Sequence, residues 1–341
     1  MENYTPSPNV TNFSTDDGLK DLEQEEGIDY GEVMYTTFCI IISILGIVGN
    51  GLVIWVTGFK MKKTMTTTWF LNLAIADFSF CLFLPLKFID VELWVAQPLD
   101  WILCKFRYFI QYINMYTSVL FLTVISIDRC ICVLYPIWSK SHRSSRLAAI
   151  ISVIIWILSI ALSSPYFIFS DISNDDSIFY CINSKTPWTN LTELDYETLD
   201  LIDEAASVTE FVCAFLIPFF IIVICYGLIA FKLRKNSRIL GSGQTFKILI
   251  TTVLCFFFCW VLYYLVPIIT LVNSNTDWPG SDFLYPLSEC LAFSNSCLNP
   301  IIYVFIGRNY KQILRKSIPF LLESTFRERT DPTEIQEDDT V

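Results

Sequence analysis

The chain has 341 residues, of which 53% are hydrophobic, 16% aromatic and 17% charged, and its mean hydropathy is +0.50. Soluble domains carry about 25% charged residues, so this composition argues against the soluble two-domain enzyme that the length alone suggests. The net charge is −11 and no basic patch stands clear of an apolar block, which disfavours a nucleic-acid-binding protein. The apolar residues come in blocks separated by short polar stretches, a pattern typical of a polytopic membrane protein.

Seven of these blocks are long enough to cross a bilayer, whose hydrocarbon core of ~30 Å requires ~20 mostly apolar residues in a helix. Helices are expected because backbone groups in hydrocarbon must pair within their own segment, and the blocks do not alternate as barrel strands do. We therefore predict an all-α membrane fold, a seven-transmembrane helix bundle over residues 34–306. Spans 1 to 7 are predicted at Met34–Phe59, Thr68–Val91, Ile102–Leu134, Ala148–Phe169, Ala205–Phe231, Phe246–Val272 and Phe283–Ile306.

The basic residues predict the orientation of this bundle. Most of the 23 Lys and Arg residues follow spans 1, 3, 5 and 7, which places these loops inside the cell and the N-terminus outside. Residues 1–33 then form an extracellular acidic tail, and the protein is expected to be a multi-pass protein of the plasma membrane. Four N-glycosylation sequons lie on the predicted outer side, at Asn3, Asn9, Asn12 and Asn190.

Two of the twelve cysteines stand apart from the rest, which lie in apolar spans. Cys104 opens span 3 and Cys181 lies in the second outer loop, where an oxidising exterior favours a disulfide between them. Such a bridge stabilises a fold by ~2–4 kcal/mol. His142 is the only histidine and no Cys/His cluster exists, so the sequence predicts no metal cofactor of that kind. No nucleophile–base pair is evident in the sequence, so no enzymatic activity is predicted.

Several polar side chains lie inside the predicted spans, where they are energetically costly and therefore functional candidates. Asp77 lies in the middle of span 2, Asn114 and Ser118 lie one helical turn apart on span 3, and Asn295, Ser296 and Asn299 line one region of span 7. Two interpretations are open. The carboxylate with the hydroxyl and amide groups holds a hydrated monovalent cation, or Asp77 is protonated and satisfied by amide hydrogen bonds.

A set of motifs, one per span and in order, resembles the rhodopsin-like (class A) G-protein-coupled receptors between Met34 and Ser317. The motifs are Gly49-Asn50, Leu73-Ala74-Ile75-Ala76-Asp77, Cys104 with Cys181, Asp128-Arg129-Cys130, Trp156, Pro218 with Tyr226, Cys259-Trp260 and Asn299-Pro300-Ile301-Ile302-Tyr303. Within this family the chain resembles the chemoattractant branch, which includes the chemerin-like, formyl-peptide and anaphylatoxin receptors. Ser163-Ser164-Pro165 at the end of span 4 is most similar to the chemerin-like type.

The resemblance implies an activation switch at the inner side. Arg129 would pair with Asp128 at rest and then be released to bind the C-terminal helix of a G-protein α subunit, usually of the inhibitory type. Span 6 would swing outward, and Tyr226 and Tyr303 would close behind Arg129. Trp260, Asn299 and Pro300 belong to the same switch in this family. A sodium ion held by Asp77, Asn114, Ser118, Asn295 and Asn299 would favour the inactive state.

One departure from the family pattern concerns span 6. The Cys-Trp-x-Pro motif reads Cys259-Trp260-Val261-Leu262, and the next proline is Pro267, further toward the outer side. A proline kinks a helix because it removes a backbone hydrogen bond. We therefore predict a kink that is displaced outward or weakened. The departure also leaves open a second function, a decoy receptor that binds and internalises ligand without activating a G protein.

The predicted outer face indicates the class of ligand. The N-terminal tail and the second outer loop carry eighteen acidic residues, which attract a basic peptide or protein, although an acidic tail is also compatible with solvated disorder. Tyr30 and Tyr196 lie in acidic surroundings that suit sulfation. Lys87 suits a ligand carboxylate, or extends to the lipid head groups. Helix phase predicts a pocket formed by Lys87, Arg107, Gln111, Tyr112, Met115, Glu210, Tyr263, Tyr264, Glu289 and Phe293.

The chain after span 7 is predicted to have two parts. Residues 307–317 read as a short amphipathic helix on the inner leaflet, in contact with membrane lipids. Residues 318–341 form a polar cytoplasmic tail whose Ser and Thr residues suit receptor kinases and arrestin, because phosphates supply charge for a basic partner. An inert disordered tail is the alternative.

Overall fold

Apolar helices account for most of the structure. A computed structural model describes residues 30–88, 97–175, 178–182, 205, 207–235, 243–272 and 281–306. Its helices are α1 (Tyr30–Trp55), α2 (Met65–Phe83), α3 (Gln97–Leu134), α4 (Pro136–His142), α5 (Ser145–Phe169), α6 (Ile217–Lys235), α7 (Gly243–Val272) and α8 (Ser281–Ile306). The short helix α4 lies in an inner loop, and the other seven correspond to predicted spans 1–7. The predicted seven-helix fold is confirmed, with most helices beginning a few residues earlier than the apolar blocks.

Two of the helices contain irregular turns that the sequence pattern did not predict. A π-helical segment, Val56–Lys60, continues α1, and a second one, Val212–Leu216, precedes α6. Pro218 follows the second segment and has no N–H to donate to the carbonyl group four residues earlier. The wider π turn accommodates this missing bond, and such turns occur often at functional sites.

Hydropathy alone identifies six membrane-spanning helices among the described residues, and α8 is not one of them. The α8 sequence contains many polar residues, and those on its inner face are buried against the rest of the bundle: Ser288, Asn295, Ser296 and Asn299 are each at most 2% exposed. α8 packs against α7 and α1 and closes the bundle. Its polar residues therefore face protein rather than lipid, as expected for a functional span.

The lipid-facing and protein-facing sides of the helices differ in the manner expected for a membrane bundle. Ile150, Ile154 and Ile157 on α5 are 59%, 50% and 60% exposed, so this apolar stripe lies on the outside. On the opposite side of α5, Trp156 donates its indole N–H to Asn72 Oδ1 of α2 at 3.0 Å. Trp69 and Phe121 pack nearby with ring centroids 6.1 Å apart. The core thus lies between the helices.

A two-stranded antiparallel hairpin follows α5, formed by β1 (Asp171–Asp175) and β2 (Ile178–Ile182). It was not predicted, because the second outer loop lacks the alternating pattern of a strand pair. Lys105 of α3 is buried beneath it and donates to the carbonyl oxygens of Phe167, Ile168 and Ser170 at 3.3, 3.1 and 2.8 Å. This lysine satisfies carbonyl groups that the end of α5 leaves unpaired.

Candidate functional site

A buried polar cluster surrounds Asp77 in the middle of the bundle. Asp77 Oδ1 accepts hydrogen bonds from Asn114 Nδ2 at 2.9 Å and from Ser118 Oγ at 3.4 Å, both on α3. Asp77 Oδ2 accepts a hydrogen bond from Asn299 Nδ2 of α8 at 2.8 Å. The carboxylate, which is fully buried, thus joins three helices, and four of the five residues predicted for a cation site lie together.

The fifth predicted residue lies differently. Asn295 is buried, but its side chain makes no hydrogen bond to Asp77 among the described contacts. Its neighbour Ser296 joins the cluster instead, because Ser296 Oγ donates to Asn114 Oδ1 at 3.2 Å. Consecutive helix residues differ by about 100° in direction, so a single step along α8 changes which side chain reaches the cluster.

Asn50 extends the cluster to α1. Its Nδ2 donates to the backbone carbonyls of Gly46 at 3.0 Å and Ser296 at 2.8 Å, while its Oδ1 is buried without a partner in the described structure. The Asp77 carboxylate and the Ser118 hydroxyl are oxygen ligands of the kind that a small hard cation prefers. Asn114 and Asn299 face the carboxylate with their Nδ2 groups, so their amide oxygens would have to turn toward an ion to bind it. The two interpretations of Asp77, a bound cation or a protonated carboxyl group satisfied by amide hydrogen bonds, both stay predictions.

At the inner end of the bundle, Asp128 contacts two arginines rather than one. Arg143, in the link between α4 and α5, donates from Nε to Asp128 Oδ1 at 3.0 Å and from Nη2 to Asp128 Oδ2 at 2.9 Å. Arg129 Nη2 lies 3.5 Å from Asp128 Oδ2 and donates instead to the hydroxyl of Thr66 on α2. The pairing of Arg129 with Asp128 that the resemblance implied is present, but its N–O distance is longer than that between Arg143 and Asp128. The sequence motifs did not indicate the contact between Arg143 and Asp128.

The other predicted switch residues lie along α6, α7 and α8. Tyr226 packs against the buried pair Cys130 and Cys225 between α3 and α6. Trp260 is 2% exposed and stands edge-on to Tyr263 with ring centroids 5.3 Å apart. Asn299 and Pro300 lie in α8, which continues through Tyr303, whose side chain lies outside the described part.

An aromatic cluster fills the outer half of the bundle, where the ligand pocket is predicted. Tyr112 and Tyr263 have hydroxyl groups 3.2 Å apart, and Tyr112 stacks on Tyr166 with interplanar angle 12°. Tyr166 donates its hydroxyl to Glu210, which is 6% exposed. Tyr264 donates to Met115 Sδ at 3.1 Å. Tyr166, absent from the predicted pocket, therefore links α3, α5 and the segment before α6.

A second acidic side chain of the predicted pocket lies on α8. Tyr35 of α1 donates its hydroxyl to Glu289, and Phe293, one turn further inward, packs against Phe80 with ring centroids 5.3 Å apart. Tyr35 was not part of the predicted pocket, since nothing in its local sequence distinguishes it from other aromatic residues of span 1.

The cationic side of the predicted pocket is formed by α3. Arg107 and the buried Gln111 line a small crevice with Phe80, Phe83, Leu84 and Ile110. The guanidinium of Arg107 lies 5.4 Å from the ring centroid of Tyr108, and its Nε is buried with no hydrogen-bond partner among the described residues. Arg107 is thus a cation with capacity for an anionic group. The side chain of Lys87 lies outside the described part.

Other predicted residues fall partly or wholly outside the described residues. Cys104 is disulfide-bonded, while the side chain of Cys181 is not described, and its backbone lies opposite Ile172 in the hairpin. The disulfide between the two cysteines stays a prediction. The same holds for the four glycosylation sites and Tyr196, the amphipathic helix at 307–317 and the tail at 318–341. α7 is a continuous helix that contains Pro267, and the displaced kink likewise stays a prediction.

Comparison with known proteins identifies the family. The family model of the 7 transmembrane receptor (rhodopsin family) matches residues 49–303. The chain belongs to this family. The receptor is 41% identical to chemerin-like receptor 1 of Rattus norvegicus over 311 residues, which is 87% of this chain and 82% of that protein. It is 42% identical to chemerin-like receptor 1 of Homo sapiens over 296 residues, which is 82% of this chain and 75% of that protein.

A second group of relatives covers nearly the whole receptor. N-formyl peptide receptor 2 of Homo sapiens is 37% identical over 338 residues, which is 95% of this chain and 94% of that protein. Together these relatives place the receptor in the chemoattractant branch of the class A G-protein-coupled receptors. The predicted family is therefore confirmed. The receptor is a multi-pass membrane protein and not an enzyme.

Proposed function

We propose that the receptor binds an extracellular chemoattractant peptide or small basic protein and activates a heterotrimeric G protein of the inhibitory type. The observation that carries this proposal is the arrangement of Arg129 at the inner end. The Arg129 side chain lies next to Asp128. Because 17% of this side chain is exposed, Arg129 is close enough to the surface to reach a partner protein. A receptor that only captured ligand would not need this arginine.

The outer half supports a ligand with both charges. Glu210 and Glu289 are carboxylates bonded to tyrosine hydroxyls, and a basic ligand group pairs more strongly with a carboxylate than a neutral hydroxyl does. The eighteen acidic residues of the tail and second outer loop add long-range attraction for a cationic ligand. Arg107, whose Nε lacks a partner among the described residues, suits a ligand carboxylate such as a peptide C-terminus, as does Lys87.

The ligand class is closer to that of the chemerin-like relatives than to formyl peptides. Formyl-peptide receptors carry an acid on span 3 and two arginines on span 5, and the matching positions here are Tyr112, Ala206 and Glu210. The replacement of an arginine by Glu210 reverses the charge offered to the ligand. The identity of 41–42% with chemerin-like receptors points the same way.

The cluster around Asp77 supports sodium as an allosteric ligand of this receptor. The Asp77 carboxylate and the Ser118 hydroxyl supply oxygen atoms for the ion, and the side-chain N–H groups of Asn114 and Asn299 tie α3 and α8 to the carboxylate. An ion held here favours the arrangement in which the three helices are drawn together, which is the resting one. The sodium ion would supply only charge neutralisation, and the protein side chains carry the connection between helices.

The proposal is tested by G-protein dissociation in transfected cells that express the receptor or Arg129→Ala. The challenge is a panel of basic chemotactic proteins and their synthetic C-terminal peptides, with surface expression measured for both forms. We expect at least one member to dissociate the inhibitory G protein with the wild type and not with Arg129→Ala. Binding and internalisation without dissociation would overturn the signalling proposal in favour of the decoy receptor, and Leu262→Pro would then be the next variant.

A further inference from the structure

In the structure, the contacts of the Asp128 carboxylate are mainly with Arg143. Both of its oxygens accept hydrogen bonds from Arg143, at 3.0 and 2.9 Å, in the two-point geometry that makes arginine–carboxylate pairs strong. The side chain of Asp128 is 7% exposed, so solvent screens this pair little. Arg129 approaches one of the same oxygens at 3.5 Å, and that oxygen is already bonded to Arg143.

The segment from α6 through α7 carries no carboxylate. No Asp or Glu occurs between Glu210 and Asp277, a stretch that includes all of α6, the third inner loop and α7. An acidic side chain of α7 therefore cannot hold Arg129 in the resting state. The two arginines compete for the single carboxylate of Asp128.

The backbone fixes Arg143 in place for this competition. Its N–H donates to the carbonyl of Ser139 at 3.1 Å and ends α4, and the next residue, Ser144, begins α5 by accepting the N–H of Leu147 at 3.2 Å. The Ser145 hydroxyl donates to the carbonyl of Lys63 at 3.1 Å, which ties the start of α5 to the loop that precedes α2. The backbone on both sides of Arg143 is therefore held in place, and this fixes the position from which the Arg143 side chain reaches Asp128.

Besides its 3.5 Å ion pair with Asp128, Arg129 contacts a neutral group. Its Nη2 donates to the hydroxyl of Thr66, which also accepts a hydrogen bond from Arg143 Nη2 at 3.3 Å. Arg129 Nε is buried without a hydrogen-bond partner in the part of the chain that is described. A hydrogen bond to a neutral hydroxyl is weaker than one to a carboxylate. Arg129 is accordingly held loosely.

We propose that Arg143 is a positioning residue of the activation switch, which occupies the Asp128 carboxylate and so keeps Arg129 ready for release. This inference rests on the proposed function, because it assigns Arg129 to the G protein. By bonding to the Asp128 carboxylate, Arg143 weakens the attraction of that carboxylate for Arg129. Its removal leaves the whole carboxylate to Arg129, so coupling decreases. A lock that held the receptor inactive would have the opposite effect.

The test uses the full receptor in lipid nanodiscs with a purified inhibitory G-protein heterotrimer, and it measures basal nucleotide exchange without ligand. We expect Arg143→Gln to lower the exchange rate about 3- to 10-fold, a size typical of residues that modulate coupling, and Arg143→Lys to lie between Arg143→Gln and wild type. Asp128→Asn is expected to raise the rate, and Arg143→Gln is expected to have no further effect in that background. Arg146→Gln, a matched loss of exposed charge in the same region, should leave the rate unchanged.

Three results would overturn the inference. The first is an exchange rate of Arg143→Gln equal to or above that of wild type. The second is an equal reduction by Arg143→Gln with and without Asp128→Asn, and the third is an equal reduction by Arg146→Gln. Either of the last two would mean that the positive charge acts directly on the G protein.

A second measurement needs no G protein and separates this inference from the proposed function. Nitroxide labels are placed at Lys62 and Lys247 through encoded ketone side chains, since the chain has twelve cysteines. Relative to wild type, the distance distribution should shift to shorter values in Arg143→Gln and to longer values in Asp128→Asn. These shifts without any wild-type nucleotide exchange would contradict the proposed function and support this inference. An unchanged distribution in Arg143→Gln would overturn the inference, whatever the G protein does.

Discussion

Asn50 of α1 donates its side-chain amide to the backbone carbonyl of Ser296 in α8, 2.8 Å away, although the two residues are 246 positions apart in the chain. The same amide group donates to Gly46 within α1. One side chain thereby joins the first and last helices of the bundle. In hydrocarbon no water can replace these bonds, so the contact specifies how α8 closes the bundle.

Replacement of Asn50 by Ala is expected to lower the stability of the receptor. The variant leaves the carbonyl of Ser296 buried without this donor, which costs about 1–3 kcal/mol. The midpoint of thermal unfolding in detergent, followed with a thiol-reactive dye, should fall. Thr209→Ala is the control, since Thr209 is exposed and, among the described residues, its hydroxyl donates locally to the carbonyl of Ala205 at 2.7 Å. An equal midpoint for Asn50→Ala and Thr209→Ala would contradict the prediction.

Asp77 is expected to make the stability of the receptor depend on sodium. The wild type should unfold at a higher temperature in sodium chloride than in choline chloride of equal ionic strength, because a bound ion stabilises the folded state by mass action. Asp77→Asn keeps the size of the side chain and removes the charge, and it should abolish the difference. Ser118→Ala should reduce it. No difference in the wild type would favour a protonated Asp77 satisfied by its amide donors.

Lys105 is expected to stabilise the outer end of α5. Lys105→Met keeps most of the aliphatic stem but leaves the carbonyls of Phe167, Ile168 and Ser170 without the ammonium donor. We expect the free energy of unfolding to fall by about 1–3 kcal/mol, since each of the three carbonyl groups loses a hydrogen bond from a charged donor. Lys140→Met removes an exposed lysine from α4 and serves as control. Hydrogen exchange of the amides at 166–172 should become faster in Lys105→Met alone; equal exchange in both variants would be the contrary outcome.

Gly46 permits α1 and α2 to approach closely. A Cβ atom added at Gly46 would lie 2.1 Å from Cys81 Sγ, whereas one added at Gly51 would lie 3.6 Å from the nearest atom, in the ring of Phe78. Gly46→Ala should therefore destabilise the receptor by about 1–3 kcal/mol, as overpacking does, and Gly51→Ala should have little effect.

The double variant Gly46→Ala/Cys81→Ala provides the decisive comparison, measured as the midpoint of thermal unfolding. Because Cys81→Ala removes the sulfur atom that the new methyl group meets, we expect the double variant to recover part of the stability lost in Gly46→Ala, relative to Cys81→Ala alone. Strictly additive losses in the double variant would show that the two side chains do not meet.

The bundle architecture could be predicted because its determinants are local in the sequence. Apolar blocks of about 20 residues can only be helices in a membrane, and the distribution of Lys and Arg follows the loops. α8 illustrates the limit of composition: it was predicted as the seventh apolar block, Phe283–Ile306, yet it falls outside the described helices that hydropathy alone identifies. The hairpin at β1 and β2 had no local signal.

The partners of the polar residues were decided by tertiary structure. The family motifs implied that Asp77, Asn114 and Asn299 share a cation site. They could not distinguish Ser296 from Asn295, since neighbouring positions on a helix point about 100° apart and the rotation of α8 is set by its packing. The contact between Arg143 and Asp128 likewise depends on how α4 and α5 are capped. Composition thus determined the spans and the charge distribution predicted their orientation, whereas helix rotation and loop geometry selected the partner of each buried charge.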